Sequence, residues 1–354
     1  MSRSRTKSEA EAEDLAPHPR KTLSFQGHRD EEMKLLTAYR GGAMPHGWLI
    51  GGPSGIGKAT LAYRMARFVL AHPDPASADV QRAASLALDP ANAAAQQVSQ
   101  QVTSGSHGGL LTLERVLNDK GVLNSFITVD QVRRTTVFFG STAAAQGWRV
   151  CIVDSVEELN PNAANALLKV LEEPPSRSLF MLISRSPARV LPTIQSRCRK
   201  LLLRPLDEHD LIQAASEATG TPADDPELLE AARAAEGSVG RAIALLGGGA
   251  LELRERTSAM LAALPRVDAD QLHALSDALG VSDRPALASV MDTIETWVTE
   301  RLRQPDAGND LPRLVRLVEA WERIKRSAQE TETFNLERKP LIFMSFDLLS
   351  QARR

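Results

Sequence analysis

The chain has 354 residues, enough for two or three domains, and its 43% hydrophobic and 24% charged content is ordinary for a water-exposed globular protein. A net charge of −2 excludes a globally basic nucleic-acid binder, and two cysteines, Cys151 and Cys198, exclude a disulfide framework or a four-cysteine zinc site. No stretch approaches the roughly 20 apolar residues that span a bilayer, and the polar N-terminus lacks the apolar core of a signal peptide, so the cytoplasm is the expected compartment and no membrane partner is expected.

Residues 1–22 are rich in Ser, Arg, Lys and Glu without apolar periodicity and read as a disordered tail. A helix is expected from Gly27 to Tyr39, with Met33, Leu36 and Ala38 apolar, ended by Gly41-Gly42. Apolar Trp48-Leu49-Ile50 then leads into Gly52-Pro53-Ser54-Gly55-Ile56-Gly57-Lys58-Ala59-Thr60, followed by a helical pattern (Leu61, Met65, Val69) to about Ala71. Residues 73–107 are Ala-, Gln- and Ser-rich and read as weakly packed helices or an insertion. A short strand at Leu110–Leu113 precedes a helix from Val129 to Phe139 that carries Arg133 and Arg134.

Val150-Cys151-Ile152-Val153, ending at Asp154, has the continuous apolar pattern of a buried parallel strand. Asn160-Pro161 is a helix start, with Asn as cap and Pro in the first turn, and Ala164, Leu167, Leu168 and Leu171 share one face of the helix that follows. Pro174-Pro175 stops it. A second buried strand, Leu179–Ile183, ends at Ser184; a short helix, Ser196-Arg197-Cys198 and a last strand, Leu201–Leu203, complete the series. Strands alternating with helices in this order predict an α/β fold with a doubly wound parallel sheet. Beyond Pro205 the strand signal disappears. Residues 205–249 read as a small helical module ending in Gly247-Gly248-Gly249, and residues 250–354 as a helical bundle.

The loop from Gly52 to Thr60 is a strand-to-helix phosphate cradle. Its glycines, Gly52, Gly55 and Gly57, let backbone N–H groups converge on phosphate oxygens, and the start of the next helix favours the anion. Lys58 stands where such a lysine reaches the terminal phosphates. Ala59 occupies the position that normally supplies a magnesium-binding hydroxyl, and Thr60 comes one residue late, turned about 100° away on a helix. Asp154 sits where a magnesium-orienting carboxylate ends a strand in such folds, but Ser155 follows it where an ATPase carries a glutamate base. Glu157 and Glu158 fall on a different part of that turn. By spacing alone Arg197 is a surface arginine, and Arg133, Arg134, Arg149 and Arg185 form at best a local basic patch toward DNA phosphates. The seven histidines show no ligand spacing.

Together these segments resemble the delta-prime family of bacterial DNA polymerase III clamp-loader subunits, within the AAA+ superfamily. The matching text runs from His46 through Leu61, continues with Val129-Asp130-Gln131-Val132-Arg133 and with Asn165 to Pro175, and ends with Ser196-Arg197-Cys198-Arg199, covering about residues 23–205. The resemblance implies an AAA+ domain over 23–204, a helical lid over 205–249 and an all-α collar over 250–354 that joins a five-subunit ring. It implies gamma/tau and delta subunits as partners, and contact with the sliding clamp and primed DNA through the assembled complex. It also implies that Arg197 acts in trans at a neighbour's ATP site, and that Ser184 matches the sensor-one position. ATP or ADP is the ligand implied for Gly52, Gly55, Gly57, Lys58, Ala59, Thr60, Asp154 and Ser184. Three departures stand out: Ala59, Ser155, and Gly240 where a sensor-two arginine belongs, with Arg241 one place late. Many relatives carry a zinc module after the loop helix, whereas residues 73–107 contain no cysteine, so no zinc is expected. The expectation is a subunit without ATPase activity of its own; an active gamma/tau-type ATPase and a P-loop adaptor outside replication are the alternatives.

Overall fold

The computed structural model describes residues 17–116, 124, 126–140, 147–246, 249–279, 284–303, 311–334 and 336–353. These divide into two units, one ending at Ile243 and the other comprising Ala244–Arg354. Residues 1–16 of the expected tail, and Gly247-Gly248, lie outside the described residues.

The first unit is built on five parallel strands: β1 (Gly47–Gly51), β2 (Leu110–Glu114), β3 (Arg149–Asp154), β4 (Ser178–Ser184) and β5 (Arg199–Leu202), ordered β2-β3-β4-β1-β5. The loop-bearing strand β1 lies inside the sheet, between β4 and β5. Because successive side chains on a strand point to opposite faces, each central strand feeds two cores. Trp48, Ile50, Ile152, Met181 and Ile183 join one core, and Leu49, Cys151, Val153, Phe180 and Leu182 join the other. Burial on both faces is why these strands read as continuous apolar runs.

The first face is covered by α1 (Arg29–Arg40) and α2 (Lys58–Ala71), through Leu35, Leu36, Leu61, Met65 and Val69. Residues 73–107 also belong to this layer, which corrects the expectation of weak packing. They form α3 (Ala78–Arg82) and α4 (Ala93–Ser104), and Val80, Leu86, Ala95 and Val102 are each no more than 1% exposed. The segment is fastened by side chains far away in sequence. The buried Glu32 carboxylate accepts from Arg64 Nε (2.6 Å) and from the Leu86 N–H (2.9 Å), and Arg40 donates to the Val80 and Ala83 carbonyls. Residues 17–22 are likewise held against α2, where Arg67 donates to the Arg20 and Thr22 carbonyls.

The second face is covered by α5 (Val129–Gly140), α6 (Pro161–Glu172) and α7 (Pro192–Gln195), through Val132, Leu167, Leu171 and Ile194. The cap of α6 is the expected one: Asn160 Oδ1 accepts the Ala163 N–H at 2.8 Å, with Pro161 in the first turn. The cap of α5 is a reciprocal pair, with the Thr128 N–H donating to Gln131 Oε1 (2.9 Å) and the Gln131 N–H to Thr128 Oγ1 (3.4 Å). Three helices follow β5, α8 (Glu208–Thr219), α9 (Pro226–Ala234) and α10 (Val239–Leu245).

The second unit is helical among the described residues: α11 (Ala250–Ala263), α12 (Ala269–Ala278), α13 (Arg284–Arg303), α14 (Leu311–Phe334) and α15 (Lys339–Arg353). Leu261, Leu275, Val290, Ile294, Ile324, Ile342 and Phe346 form its core. No described helix is long and apolar enough to cross a membrane.

Candidate functional site

Strand β1 ends at Gly51, and the cradle turns immediately, with Gly52 at φ 147°, Gly55 at φ 72° and Gly57 at φ 94° at the start of α2. The Gly52 N–H is tied to the Ser184 carbonyl (3.2 Å), so the loop starts from the sheet without slack. Four consecutive loop carbonyls then accept donors from the chain itself. Lys58 Nζ donates to Pro53, Ser238 Oγ to Ser54 (2.9 Å), the Gly240 N–H to Gly55 (2.9 Å), and His28 Nε2 pairs with Ile56 (3.0 Å). The loop is thereby clasped from both sides, by the residue before α1 and by the start of α10.

Position 240 explains its own glycine. A Cβ there would stand 3.0 Å from Gly55 Cα, and a Cβ on Gly55 would stand 2.3 Å from Ser238 Oγ. Two backbones meet where a sensor-two arginine would have to pass, so the departure from the family pattern is a packing feature rather than a neutral loss. Arg241, one place on, turns to Glu236 (3.4 Å).

Lys58 is 5% exposed, and burial, with help from Arg185, pushes its ammonium down to about 8 against the pull of Asp154 and Glu157. Ala59 packs against the first core. Asp154 ends β3 as expected; burial raises its pKa, with Arg185 working against that and Glu158 and Glu114 adding to it.

Glu157 lies in the short 3-10 turn Val156–Glu158 that follows Ser155, off the position after Asp154 as the sequence placed it, and its carboxylate reaches between the ends of β3 and β4. Ser155 Oγ donates to its Oε2 (2.9 Å), while Ser184 Oγ and the Ser186 N–H (2.8 Å) donate to its Oε1. Burial works to raise this carboxyl, but those donors outweigh it and hold it below the usual glutamate range. A carboxylate so saturated with donors is a poor proton acceptor, and the Ser184 hydroxyl is engaged with it. These contacts were not legible along the sequence, since the two strand ends, Asp154 and Ser184, are 30 residues apart and adjacent only in the sheet.

Arg197 stands apart from this cluster. Trp48, near the start of β1, pairs with Arg199, so Ser196-Arg197-Cys198 lies at the end of the sheet where the strands begin. The cradle lies where they finish, roughly 13 Å away along a five-residue strand. Arg197 cannot reach its own loop across that distance. Its side chain is 32% exposed, and its guanidinium donates to the Thr193 carbonyl (2.8 Å) and to Glu172 Oε1 (2.5 Å). Cys198 is buried, its thiol pushed up to about 12.

The suggested basic patch needs one correction. Arg149 is buried and donates to the Phe138 and Phe139 carbonyls at the end of α5, so it cannot face DNA. Arg133 remains exposed and pairs with Asp130 at 2.9 Å. Among the described residues no group of three or more His, Cys, Asp or Glu is arranged to hold a metal ion.

A parallel sheet ordered β2-β3-β4-β1-β5, with a glycine-rich phosphate cradle on an internal strand and helices on both faces, is a P-loop α/β architecture. Within that class, residues 27–207 match the family model described as DNA polymerase III, delta subunit, and the chain belongs to that family. It is 39% identical over 154 residues to the DNA polymerase III subunit delta' of Pseudomonas aeruginosa, covering 43% of this chain and 41% of that one. It is 32% identical over 234 residues to the subunit delta' of Escherichia coli K12, covering 66% and 64%. A DNA polymerase III subunit gamma/tau of Mycobacterium tuberculosis H37Rv is 27% identical over 268 residues, covering 73% and 43%. The chain thus spans less than two thirds of the length of these relatives.

Proposed function

We propose that this chain is the delta-prime subunit of a bacterial clamp loader: a component that completes a neighbour's ATP site and hydrolyses nothing itself. The observation that carries this reading is the placement of Arg197, partly exposed at the opposite end of the sheet from its own cradle. A planar, always-charged fork in that position suits the charge that develops on a phosphoryl group held by an adjacent subunit. The likeness to chains named delta' and gamma/tau supports gamma/tau and delta subunits as its partners, with the sliding clamp and primed DNA met through the complex in the cytoplasm.

The chain's own loop keeps the elements that would hold a nucleotide's phosphates: the backbone of Gly52, Gly55 and Gly57, and Lys58. The residues do not fit metal-assisted hydrolysis. Ala59 offers no ligand, Ser155 stands where a glutamate base would, and the nearby Glu157 carboxylate is engaged by Ser155, Ser184 and Ser186. ATP or ADP at this site would therefore be a bound ligand rather than a substrate. In this reading, residues 205–249 act as a lid and residues 250–354 as the collar that joins the ring.

The second reading, an active gamma/tau-type ATPase, is favoured by the 27% identity to a gamma/tau subunit over 73% of this chain. Single-turnover hydrolysis separates the two. The purified chain, in excess over radiolabelled ATP, is expected to release no phosphate above the uncatalysed rate; release within seconds establishes the motor reading instead.

A further inference from the structure

The contact between Arg197 and Glu172 concerns how the proposed finger is held before it meets a neighbour. Glu172 is the last residue of α6, followed by Glu173 at the cap. Two carboxylates at that position face the negative end of the helix dipole, where cations are the favoured occupants. Lys169 is the one basic residue in that last turn, and the first turn of α6 carries no acid. The carboxylate's ion-pair partner comes from the loop before β5, the Arg197 guanidinium, with Nη2 to Glu172 Oε1 at 2.5 Å. Its other terminal nitrogen, Nη1, is held by the Thr193 carbonyl at 2.8 Å and Ser196 Oγ at 3.3 Å. The side chain is therefore folded along its own surface in the isolated chain, with the carboxylate half-exposed at its tip.

We propose that Glu172 is a positioning residue that parks Arg197 until a neighbouring subunit's nucleotide takes the carboxylate's place. The inference rests on the trans role proposed for Arg197. A guanidinium cannot present the same N–H groups to a carboxylate and to a phosphate, and a carboxylate left beside a phosphate repels it, so engagement exchanges one anion for the other. The pair is partly exposed, so it is weak enough to open: such contacts are worth a factor of about two to five in an equilibrium. Release accompanies docking, before chemistry, and therefore acts on ground state and transition state alike. Its effect falls on KM rather than kcat.

The test is steady-state ATP hydrolysis by the complete loader, with clamp and primed DNA, built with wild-type chain, Glu172→Gln, Arg197→Ala and the double variant. Glu172→Gln keeps the shape and removes the charge. It is expected to lower the KM for ATP about two- to five-fold and to raise kcat/KM by the same factor. In the Arg197→Ala background the same change is expected to do nothing, because the donor is gone; a merely structural role at the end of α6 would persist there. An unchanged KM, a raised one, or an effect that survives without Arg197 overturns the parking role while leaving the finger itself intact. If Arg197→Ala alone leaves turnover untouched, the finger reading fails, and the parking role fails with it.

Discussion

Replacing Arg197 with alanine is expected to lower ATP turnover by the assembled loader by a factor of about 10³ to 10⁵ at the site it serves, the range that separates phosphoryl transfer with and without an arginine finger. The fold is expected to survive the change. Arg197 is 32% exposed and its ion pair with Glu172 is a surface one, worth at most about 1 kcal/mol. Its backbone N–H to the Ile194 carbonyl (3.1 Å) is kept by any residue. Loss of turnover should therefore come without loss of assembly, as checked by gel filtration of the ring beside its ATPase rate. Lysine at this position restores charge without the planar fork and is expected to recover little. Turnover within two-fold of wild type would remove Arg197 from the chemistry.

The second large effect concerns the cradle as a piece of architecture. Gly52→Ala places a Cβ 2.6 Å from the Leu203 carbonyl oxygen and 2.7 Å from Ile56 Cδ1, at a φ of 147° that side chains rarely adopt. Neither neighbour gives way easily. The Leu203 N–H is bonded to the Gly51 carbonyl (2.8 Å), the Gly52 N–H to the Ser184 carbonyl, and Ile56 is buried in the first core. Strain and overpacking together are expected to cost about 3 kcal/mol. For a unit of this size that is a fall in unfolding midpoint of about 6–12 °C, read by thermal denaturation. A shift of less than about 2 °C would mean that the loop is free to move, contrary to the clasp formed by His28, Ser238 and Gly240.

The sheet was legible because each buried strand is a continuous apolar run, and because Asn160-Pro161 and Lys58 each open a helix by local rules that tertiary contacts do not overrule. The second face, with α6 on Leu167 and Leu171, follows from the same periodicity. Residues 73–107 were misread for a physical reason. Their burial depends on a few widely spaced residues, Val80, Leu86, Ala95 and Val102, and their fastening on Glu32 and Arg40, which lie far back in the sequence. In the site, the losses at Ala59 and Ser155 could be read residue by residue, and so could the displaced arginine at 241. What could not be read was what fills the gaps. Glu157 reaches Ser184 and Ser186 only through the pairing of β3 beside β4, and Gly240 earns its place only where the start of α10 meets Gly55. Arg149, grouped with DNA-facing arginines by its charge, is turned inward because the end of α5 leaves carbonyls for it to cap.

The central claim is that this chain contributes to clamp loading through a neighbour's nucleotide. The measurement that tests it most directly is clamp loading onto primed DNA, with ATP hydrolysis followed in parallel, by gamma/tau and delta subunits reconstituted with and without this chain. The account predicts that loading and clamp-stimulated hydrolysis depend on the chain's presence and return when it is added back. Full loading and full hydrolysis in its absence would contradict it.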